Sequence, residues 1–405
     1  MKNMEQQSSK GLVLTTSGHE TQSANSVREY SDPPIPDDLL MEIFSRVPAK
    51  SIARFRCVSK FLASIFCRPD FTDLFLTMSL TRPRFLFALE ADKTLFLYSA
   101  PQPHNPNDNS SLVATHYQTL TFPEYIGFDN PRTLCGLVLH RKMRVICNPA
   151  TGEFLTLPNV LKENILPNGN PAVIAATYLG YDRIGKRFKV LRMTPSRDGR
   201  PNTHQVLTLE SGKLLWRMVE CKFHFVPTLA LANHICINGV LYFEAKLGKS
   251  TVIVCFDVTS EKFGFINTNE DMEQGLACGL KFLELFNYKG KLGIHNKEND
   301  LYGKRLVLWV LEDAGNHKWS KNVYVFSPLD ELMVMHIKFV GVTGRGEIVY
   351  SPRPFHPVNW YFVVFYNVES KTFTRVKVEG LKVEEGEKNH FKKTLIGYVE
   401  NLEFM

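Results

Sequence analysis

Several features that mark common classes of enzymes and metalloproteins are missing from this sequence of 405 residues. Its eight cysteines include no Cys-x-x-Cys pair, and its twelve histidines include no His-x-x-x-His pair, so neither residue type shows the spacing of zinc ligands. The Gly-x-Ser-x-Gly motif of many hydrolases is also absent. The sequence therefore shows no motif of a zinc site or of a serine hydrolase.

Signals for nucleic acids and membranes are equally scarce. The formal net charge is +7, but lysine and arginine are spread along the chain and form no basic block interleaved with aromatic residues. Residues 1–34 are rich in Ser, Gln, Thr and Glu, and no run in the chain reaches the length of a signal-peptide core or a membrane span. We predict a disordered tail over residues 1–34 and a soluble cytoplasmic or nuclear protein that binds neither nucleic acid nor membrane. In such a compartment the cysteines are expected to be reduced and buried.

Two segments match part of a phosphate-binding loop. Residues 180–187 have the glycine spacing and the lysine, but Arg187 stands where a Ser or Thr would hold magnesium. Residues 248–250 read Gly-Lys-Ser, yet Phe243 occupies the position of the first glycine. We interpret both segments as hairpin turns.

Residues 35–80 contain four short runs in which apolar side chains recur at helical spacing. The first run begins at Pro36, which suits the first position of a helix, and two aspartates follow at the positive end of the helix dipole. Pro48 ends this run, and Pro69 begins the last one. Such a small unit buries little surface by itself, so its apolar excess indicates a face that contacts another protein. The alternative is that the helices only cap the rest of the chain.

The stretch 35–66 closely resembles the F-box, the trihelical motif that docks substrate receptors onto the Skp-type adaptor of SCF ubiquitin ligases. The strongest match is residues 50–60 (KSIARFRCVSK), and residues 35–39 (IPDDL) stand where the family has Leu-Pro-x-x-Leu. Leu62 occupies a position where the family usually has tryptophan. The resemblance implies a Skp-type adaptor, and through it a cullin, as partners. It also implies the following adaptor-binding residues: Pro36, Leu39, Leu40, Ile43, Phe44, Val47, Pro48, Ile52, Val58 and Ser59.

After Leu80 the pattern changes to short alternating strands separated by polar turns. One unit recurs: a strand, a turn that contains Asp, Asn, Ser or Gly, and a second strand. Its turns lie near 92, 151, 211, 260, 315 and 370, which gives a period of about 50 to 60 residues. A second hairpin signal lies between successive turns, which makes four strands per period, as in a propeller blade. Residues 234–266 give one complete unit. A sixth unit combines residues 84–98 with 394–402, so that the two ends of the chain close the ring.

The motifs at 135–139 (CGLVL), 147–153 (CNPATGE) and 179–191 resemble the plant-type F-box-associated domain. This resemblance implies a propeller that recruits substrates. The predicted fold is mainly β, with an N-terminal α-helical F-box over residues 35–80. A β-propeller-like domain of about six four-stranded blades follows over residues 84–405.

Together these features predict the substrate receptor of an SCF-type ubiquitin ligase, with an unknown target protein. The resemblance implies a non-catalytic subunit without a metal or any other cofactor, because other subunits carry out ubiquitin transfer. Candidate target-binding loops are residues 101–111, 161–171, 195–203 and 267–274, which are long and polar. The alternative is a propeller that binds a small ligand or glycan and carries a vestigial F-box.

Overall fold

The computed structural model describes residues 35–91, 94–106, 111–121, 132–141, 144–158, 176–194, 202–210, 214–228, 234–273, 283–296, 305–327, 336–353, 361–381 and 390–403. The helices are α1 (Asp37–Ser45), α2 (Ala49–Val58), α3 (Lys60–Phe66), α4 (Pro69–Leu80) and α5 (Glu270–Glu273). The predicted tail, residues 1–34, lies outside the described residues. No helix in the described part of the chain has both the length and the apolar character needed to span a membrane.

Local chemistry sets the boundaries of the N-terminal helices. Pro36 and Pro48 hold extended conformations immediately before α1 and α2, and α4 begins at Pro69. Ser59 separates α2 from α3, and its hydroxyl accepts a hydrogen bond from the backbone N–H of Leu62 at 3.4 Å. The four helical runs predicted from the sequence are thus confirmed.

The strands of the first three blades are β1 (Arg84–Ala91), β2 (Thr94–Pro101), β3 (Ser111–Val113), β4 (Thr115–Thr121), β5 (Arg132–Leu134), β6 (Leu137–His140), β7 (Val145–Cys147), β8 (Phe154–Thr156), β9 (Ala176–Asp182), β10 (Arg187–Thr194), β11 (Thr203–Thr208) and β12 (Arg217–Met218). The remaining strands are β13 (Val226–Pro227), β14 (His234–Ile237), β15 (Val240–Leu247), β16 (Ser250–Asp257), β17 (Lys262–Asn267), β18 (Leu283–Tyr288), β19 (Lys291–Asn296), β20 (Arg305–Asp313), β21 (Lys318–Val325), β22 (Ile337–Val342), β23 (Ile348–Pro352), β24 (Tyr361–Asn367), β25 (Thr372–Glu379) and β26 (His390–Tyr398).

These strands form a six-bladed β-propeller. Blade 1 has the strand order β26-β1-β2-β4, blade 2 is β5 to β8, blade 3 is β9 to β12, blade 4 is β14 to β17, blade 5 is β18 to β21, and blade 6 is β22 to β25. In blade 1 the C-terminal strand β26 pairs antiparallel with β1, with Ala88 opposite Lys393. The predicted closure of the ring by the two ends of the chain is confirmed, and so is the predicted four-stranded unit at 234–266.

The hydrophobic core lies between the blades. Six clusters of buried residues each combine side chains from two neighbouring sheets, and together they run around the whole ring. For example, Phe286 of blade 5 packs on Phe339 of blade 6 with ring centroids 5.1 Å apart, and Phe87 of blade 1 packs on Tyr361 of blade 6. Because every blade buries apolar side chains on both faces, each sheet is stabilised by its two neighbours.

The repeated turns share one hydrogen-bonding pattern. An Asp or Asn at the first position accepts bonds from backbone N–H groups two or three residues later, as Asp313 does from Gly315 and Asn316 at 2.9 and 3.1 Å. The same side-chain-to-backbone bonds occur at Asn148, Asp182, Asp257 and Asn367. The fifth residue of each turn then has a positive φ: Gly152, Lys186, Glu261, His317 and Lys371.

The structure also shows which elements the two partial matches to a phosphate-binding loop form. Residues 182–186 are one of the repeated turns and join β9 to β10, and Gly248 lies in the turn between β15 and β16 with a φ of 61°. Both segments are hairpin turns, as predicted. The described copies near 151, 260, 315 and 370 each join the third strand of a blade to the fourth, whereas the turn at 182–186 joins a first strand to a second. The predicted copy near 92 falls on residues outside the described part. The copy near 211 falls on residues outside the described part.

Two short strands add to the blades. Strand β3 leaves blade 1 and pairs in parallel with the outer strand β25 of blade 6, with Leu112 opposite Val378. Strand β13 pairs with β15 in blade 4. The expectation that the cysteines are buried is wrong for two of them, because Cys57 and Cys67 are exposed on the helices while Cys147 is buried between blades.

Candidate docking surface

One side of the N-terminal helices is packed on the propeller. Phe71 and Phe75 of α4 are fully buried in a cluster that also contains Ala150, from the turn between β7 and β8, and Leu402, which follows β26. The centroids of Phe66 and Phe71 lie 5.1 Å apart inside this cluster. The helices therefore share a hydrophobic core with the ring. On this side they cap the propeller, as the alternative interpretation of the sequence predicts.

A polar network borders this core at the start of α2. The backbone N–H of Ala49 donates to Glu400 Oε2 at 3.2 Å, and the hydroxyl of Tyr117 donates to the other oxygen of the same carboxylate. A carboxylate at the N-terminus of a helix also interacts favourably with the helix dipole. Burial, with the nearby charge of Glu400, raises the pKa of Tyr117 far above its ordinary value, so the hydroxyl remains a hydrogen-bond donor.

Lys50 extends the network onto the blade. Its ammonium group lies 4.8 Å from the centre of the Tyr117 ring and donates to the backbone carbonyl of His116. Burial, followed by the neighbouring charge of Arg54, lowers the pKa of Lys50.

The segment between α4 and β1 is anchored as well. Arg82 donates to the backbone carbonyl of Ser45 at 2.8 Å and to that of Arg46, so it holds the end of α1. Asp73 of α4 pairs with Lys186 of the β9–β10 turn. The helices thus contact blades 1, 2 and 3, and all these contacts lie at the end of the ring where β1 begins.

The opposite side of the helices carries apolar side chains that remain in contact with solvent. Leu39 is 49% exposed, Ile43 54%, Val58 81% and Phe61 53%, and Ile35 is exposed as well. We call these five residues the apolar face. Single exposed apolar side chains are common on proteins, but five of them on one helical unit of this size are typical of a protein-binding surface.

The predicted adaptor-binding residues occupy three different environments. Five are exposed: Pro36, Leu39, Ile43, Pro48 and Val58. Leu40, Phe44, Val47 and Ser59 are partly buried, and the first three pack on the helical core. Ile52 is fully buried in that core, so in this structure it supports the surface from beneath and has no exposed area. Leu62, at the position of the family's tryptophan, is also partly buried against the core.

Some surface residues were not among those predicted. Phe61 and Ile35 belong to the apolar face, and Phe55 is 39% exposed with its ring 5.3 Å from that of Phe44. Helical spacing alone did not separate them from core residues, because the sequence does not show which side of each helix rests on the ring. Arg54 and Lys60 are exposed, and no acidic residue lies between Ile43 and Pro69, so the surface around α2 and α3 is basic.

The candidate target-binding loops lie at both ends of the ring. Residues 101–106 follow β2 at the same end as the helices, where His104 contacts Arg345. Residue 202 precedes β11, which begins at Thr203, and residues 268–273 follow β17, both at the opposite end. Residues 107–110, 161–171, 195–201 and 274 lie outside the described residues.

Comparison with known proteins gives matches over both parts of the chain. Residues 34–74 match the F-box domain model, and residues 84–399 match the model of the F-box associated beta propeller domain. The chain is 43% identical over 392 residues to F-box protein At1g53790 of Arabidopsis thaliana, covering 92% of this chain and 82% of that protein. It is 40% identical over 379 residues to F-box protein DOR of the same plant, covering 87% of this chain and 90% of the relative.

Proposed function

Because the chain belongs to the family of F-box proteins with an F-box associated beta propeller domain, we propose that it is the substrate receptor of an SCF-type ubiquitin ligase. In this proposal the apolar face and its neighbours Pro36, Leu40 and Pro48 bind a Skp-type adaptor, and through it a cullin. The ring holds a target protein. The receptor itself carries out no chemistry.

The observation that carries this proposal is the two-sided packing of the helices. One side is buried on the ring through Phe71 and Phe75, while the other presents the apolar face to solvent. Helices that served only as a cap would have no need of the second side. Burying Leu39, Ile43, Val58 and Phe61 in an interface contributes about 1.5–3 kcal/mol for each fully covered side chain.

Charge supports the same assignment. The exposed cations of α2 and α3 suit an acidic partner, and complementary charge raises the rate of association more than the affinity. We assign target capture to the end of the ring opposite the helices, where β10 and β17 end and where no described residue of the ring contacts the helices. Holding a target at a fixed distance from the ligase raises its effective concentration at the site of ubiquitin transfer.

Co-purification tests the proposal. We expect the full chain, mixed with recombinant Skp-type adaptor and cullin, to form a stoichiometric complex on size exclusion. The double variant Leu39→Asp with Ile43→Asp should lose that complex, because two carboxylates would have to be buried without partners. Both positions are exposed, so the melting temperature of the ring should not change.

The matched control is Val323→Asp with Val325→Asp. These two valines are exposed on the outer strand β21 of blade 5, far from the helices in the ring order. The control introduces the same two carboxylates at exposed aliphatic positions and should leave the complex intact. If the wild-type chain forms no complex, or if the Leu39 and Ile43 variant still forms it, the proposed docking surface is wrong.

A further inference from the structure

Blade 5 ends in a long strand whose outer edge is covered by no other strand in the described part of the chain. Strand β21 comes last in the order β18-β19-β20-β21 and spans eight residues. Val323 is 46% exposed and Val325 74%, so the second half of this edge carries aliphatic side chains in contact with solvent. Proteins usually protect such an edge, because its outward N–H and C=O groups can pair with another strand.

The neighbouring blade shows how this chain covers an outer edge. In blade 6, β3 pairs in parallel with residues 377–379 of β25, with Leu112 opposite Val378. The backbone N–H of Ala114 then donates to the carbonyl of Glu379 at 2.8 Å. Leu112 and Val378 are each 5% exposed, and both belong to the cluster between blades 6 and 1. A strand of three residues is therefore enough to cover an edge of this ring.

The exposed part of β21 is equivalent to the part of β25 that β3 covers. Both strands have eight residues and both follow a repeated turn, so residues 323–325 correspond to residues 377–379. Tyr324 takes the position of Val378, yet it is only partly buried, against the cluster between blades 5 and 6. In blade 5, no described residue fills the place that Leu112 fills in blade 6.

The first 34 residues contain a segment that is similar to β3. Residues 11–15 (GLVLT) share Leu, Val and Thr with residues 111–115 (SLVAT), at the same three positions. The tetrapeptide Gly-Leu-Val-Leu occurs again at 136–139, where strand β6 begins at Leu137. The same residues thus form a strand elsewhere in this chain, and aliphatic side chains suit the half-covered surface of a sheet.

The chain between this segment and the helices is long enough for it to reach blade 5. Nineteen residues (16–34) separate Thr15 from Ile35. At 3.3–3.6 Å per residue they span roughly 65 Å when extended. A compact domain of the size of the ring has a diameter of about 50 Å, from the usual scaling of the radius of gyration. Attachment to the same molecule also raises the effective concentration of the segment at the edge.

We propose that residues 11–13 of the same chain add as a parallel strand to the outer edge of β21. Leu12 lies opposite Tyr324 and covers it, as Leu112 covers Val378 in blade 6. Val13 lies opposite Val325, and the two side chains shield each other from solvent. This mode is strand addition, in which backbone hydrogen bonds supply affinity and alternate side chains supply specificity.

The pairing ends at Val325 for a steric reason. Phe326 takes the position of Gly380, and a Cβ atom added at Gly380 would lie 2.5 Å from the carbonyl oxygen of Ala114 in blade 6. The chain after Val13 must therefore leave the edge of β21. This contact involves no residue of the apolar face, so it and adaptor docking can fail independently.

Disulfide trapping in the full chain tests the proposal, in a background with Cys57→Ser and Cys67→Ser because both thiols are exposed. The pair Val13→Cys with Val325→Cys places two thiols on directly opposite residues of neighbouring strands, within the range of Cα separations that a disulfide spans. We expect mild oxidation at low protein concentration to link them within one molecule. Mass spectrometry of the unreduced protein and its peptides identifies the linked residues and distinguishes monomer from dimer.

Two matched pairs serve as controls. Val13→Cys with Val323→Cys is two residues out of register, a shift of about 6.6 Å along the strand. Val27→Cys with Val325→Cys carries its first thiol outside the segment. The pair at 13 and 325 should react about tenfold faster than either control, which corresponds to about 1.4 kcal/mol in favour of the docked state. Adding Leu12→Asp should remove this advantage, because its carboxylate would be buried against Tyr324.

A second measurement needs no substitution on β21. In the wild-type chain, amide hydrogen exchange over residues 11–14 should be slower than over residues 24–27, and Leu12→Asp should abolish the difference. The proposal is overturned if the pair at 13 and 325 reacts no faster than the controls, or if exchange is equally fast in the two segments. A disulfide-linked dimer as the main product would also overturn it, because the edge would then be covered by a second copy of the chain.

Discussion

At the scale of single residues, His204 shows how the ring imposes a protonation state. This histidine of β11 is 6% exposed, and its ring lies 5.2 Å from that of Phe225 in a stacked arrangement and 5.0 Å from that of Phe263. Burial, with a smaller contribution from the charge of His224, lowers the pKa of His204 to about 4. The imidazole is therefore neutral in the folded protein at neutral pH.

This shift predicts a loss of stability in weak acid. The unfolded chain binds a proton on His204 below about pH 6.5, and the folded chain binds it only near pH 4, so the free energy of unfolding falls as pH decreases through this window. We expect His204 to account for roughly 1 kcal/mol of the loss between pH 7 and pH 5.5. Urea unfolding at both pH values should show a smaller loss for His204→Phe than for the wild type.

The control for this prediction is His104→Gln, which changes an exposed histidine and should retain the wild-type pH dependence. An identical pH dependence in the His204→Phe variant and the wild type would contradict the assignment.

At the scale of secondary-structure elements, the repeated turn explains why the blades were visible in the sequence. The Asp or Asn that starts each turn and the strongly alternating strands around it are local signals, and both predict a hairpin without any knowledge of the neighbours. The same local chemistry predicted the start of α4 at Pro69, and it predicted the start of α1 to within one residue, because Pro36 is extended and the helix begins at Asp37. These features depend on residues a few positions apart, and the structure confirms them.

Other elements depend on contacts that are distant in the sequence, and local patterns did not reveal them. Strand β3 has three residues and pairs with a strand more than 260 positions later, so nothing in its own sequence names its partner. The interface between the helices and the ring includes Ala150 and Leu402, which nothing in the sequence distinguishes from other apolar residues.

The turn at Lys371 offers a prediction at this scale. Its φ of 56° is a conformation that costs a non-glycine residue about 1–2 kcal/mol, and its side chain is exposed. Replacing Lys371 with glycine removes this cost, but part of the gain in stability is lost because glycine is more flexible in the unfolded chain. Lys371→Gly should therefore raise the free energy of unfolding by about 0.5–1 kcal/mol in urea titrations.

The neighbouring residue provides the comparison. Thr372 is exposed at the start of β25, where extended backbone gives glycine no advantage, so Thr372→Gly should lower stability by about 0.5–1 kcal/mol. Equal effects at the two positions would show that backbone conformation does not govern stability in this turn.

At the scale of the whole molecule, the helices and the ring move as one unit only if the interface between them is rigid. This interface contains the hydrophobic core around Phe75 and the hydrogen bond from Ala49 to Glu400. It also contains the cation–π contact of Lys50 with Tyr117, and the hydrogen bond from Arg82 to the carbonyl of Ser45 fixes the end of α1 beside it. A rigid interface matters for the proposed receptor because it fixes the position of a captured target relative to the adaptor. A loosely held target has a lower effective concentration at the site of ubiquitin transfer.

Glu400 is the most direct test of this rigidity, because its carboxylate receives bonds from both α2 and Tyr117. Glu400→Ala leaves both donors without this acceptor, at a cost of about 1–3 kcal/mol for buried groups. We expect amide hydrogen exchange across Ala49–Val58 to accelerate by about tenfold or more, while exchange in Ser250–Asp257 of blade 4 stays unchanged. Glu379→Ala removes an exposed carboxylate that pairs with Lys377 and should change neither segment. Acceleration in both segments would mean that the ring itself has been destabilised, and no acceleration in α2 would mean that the apolar core alone holds the helices in place.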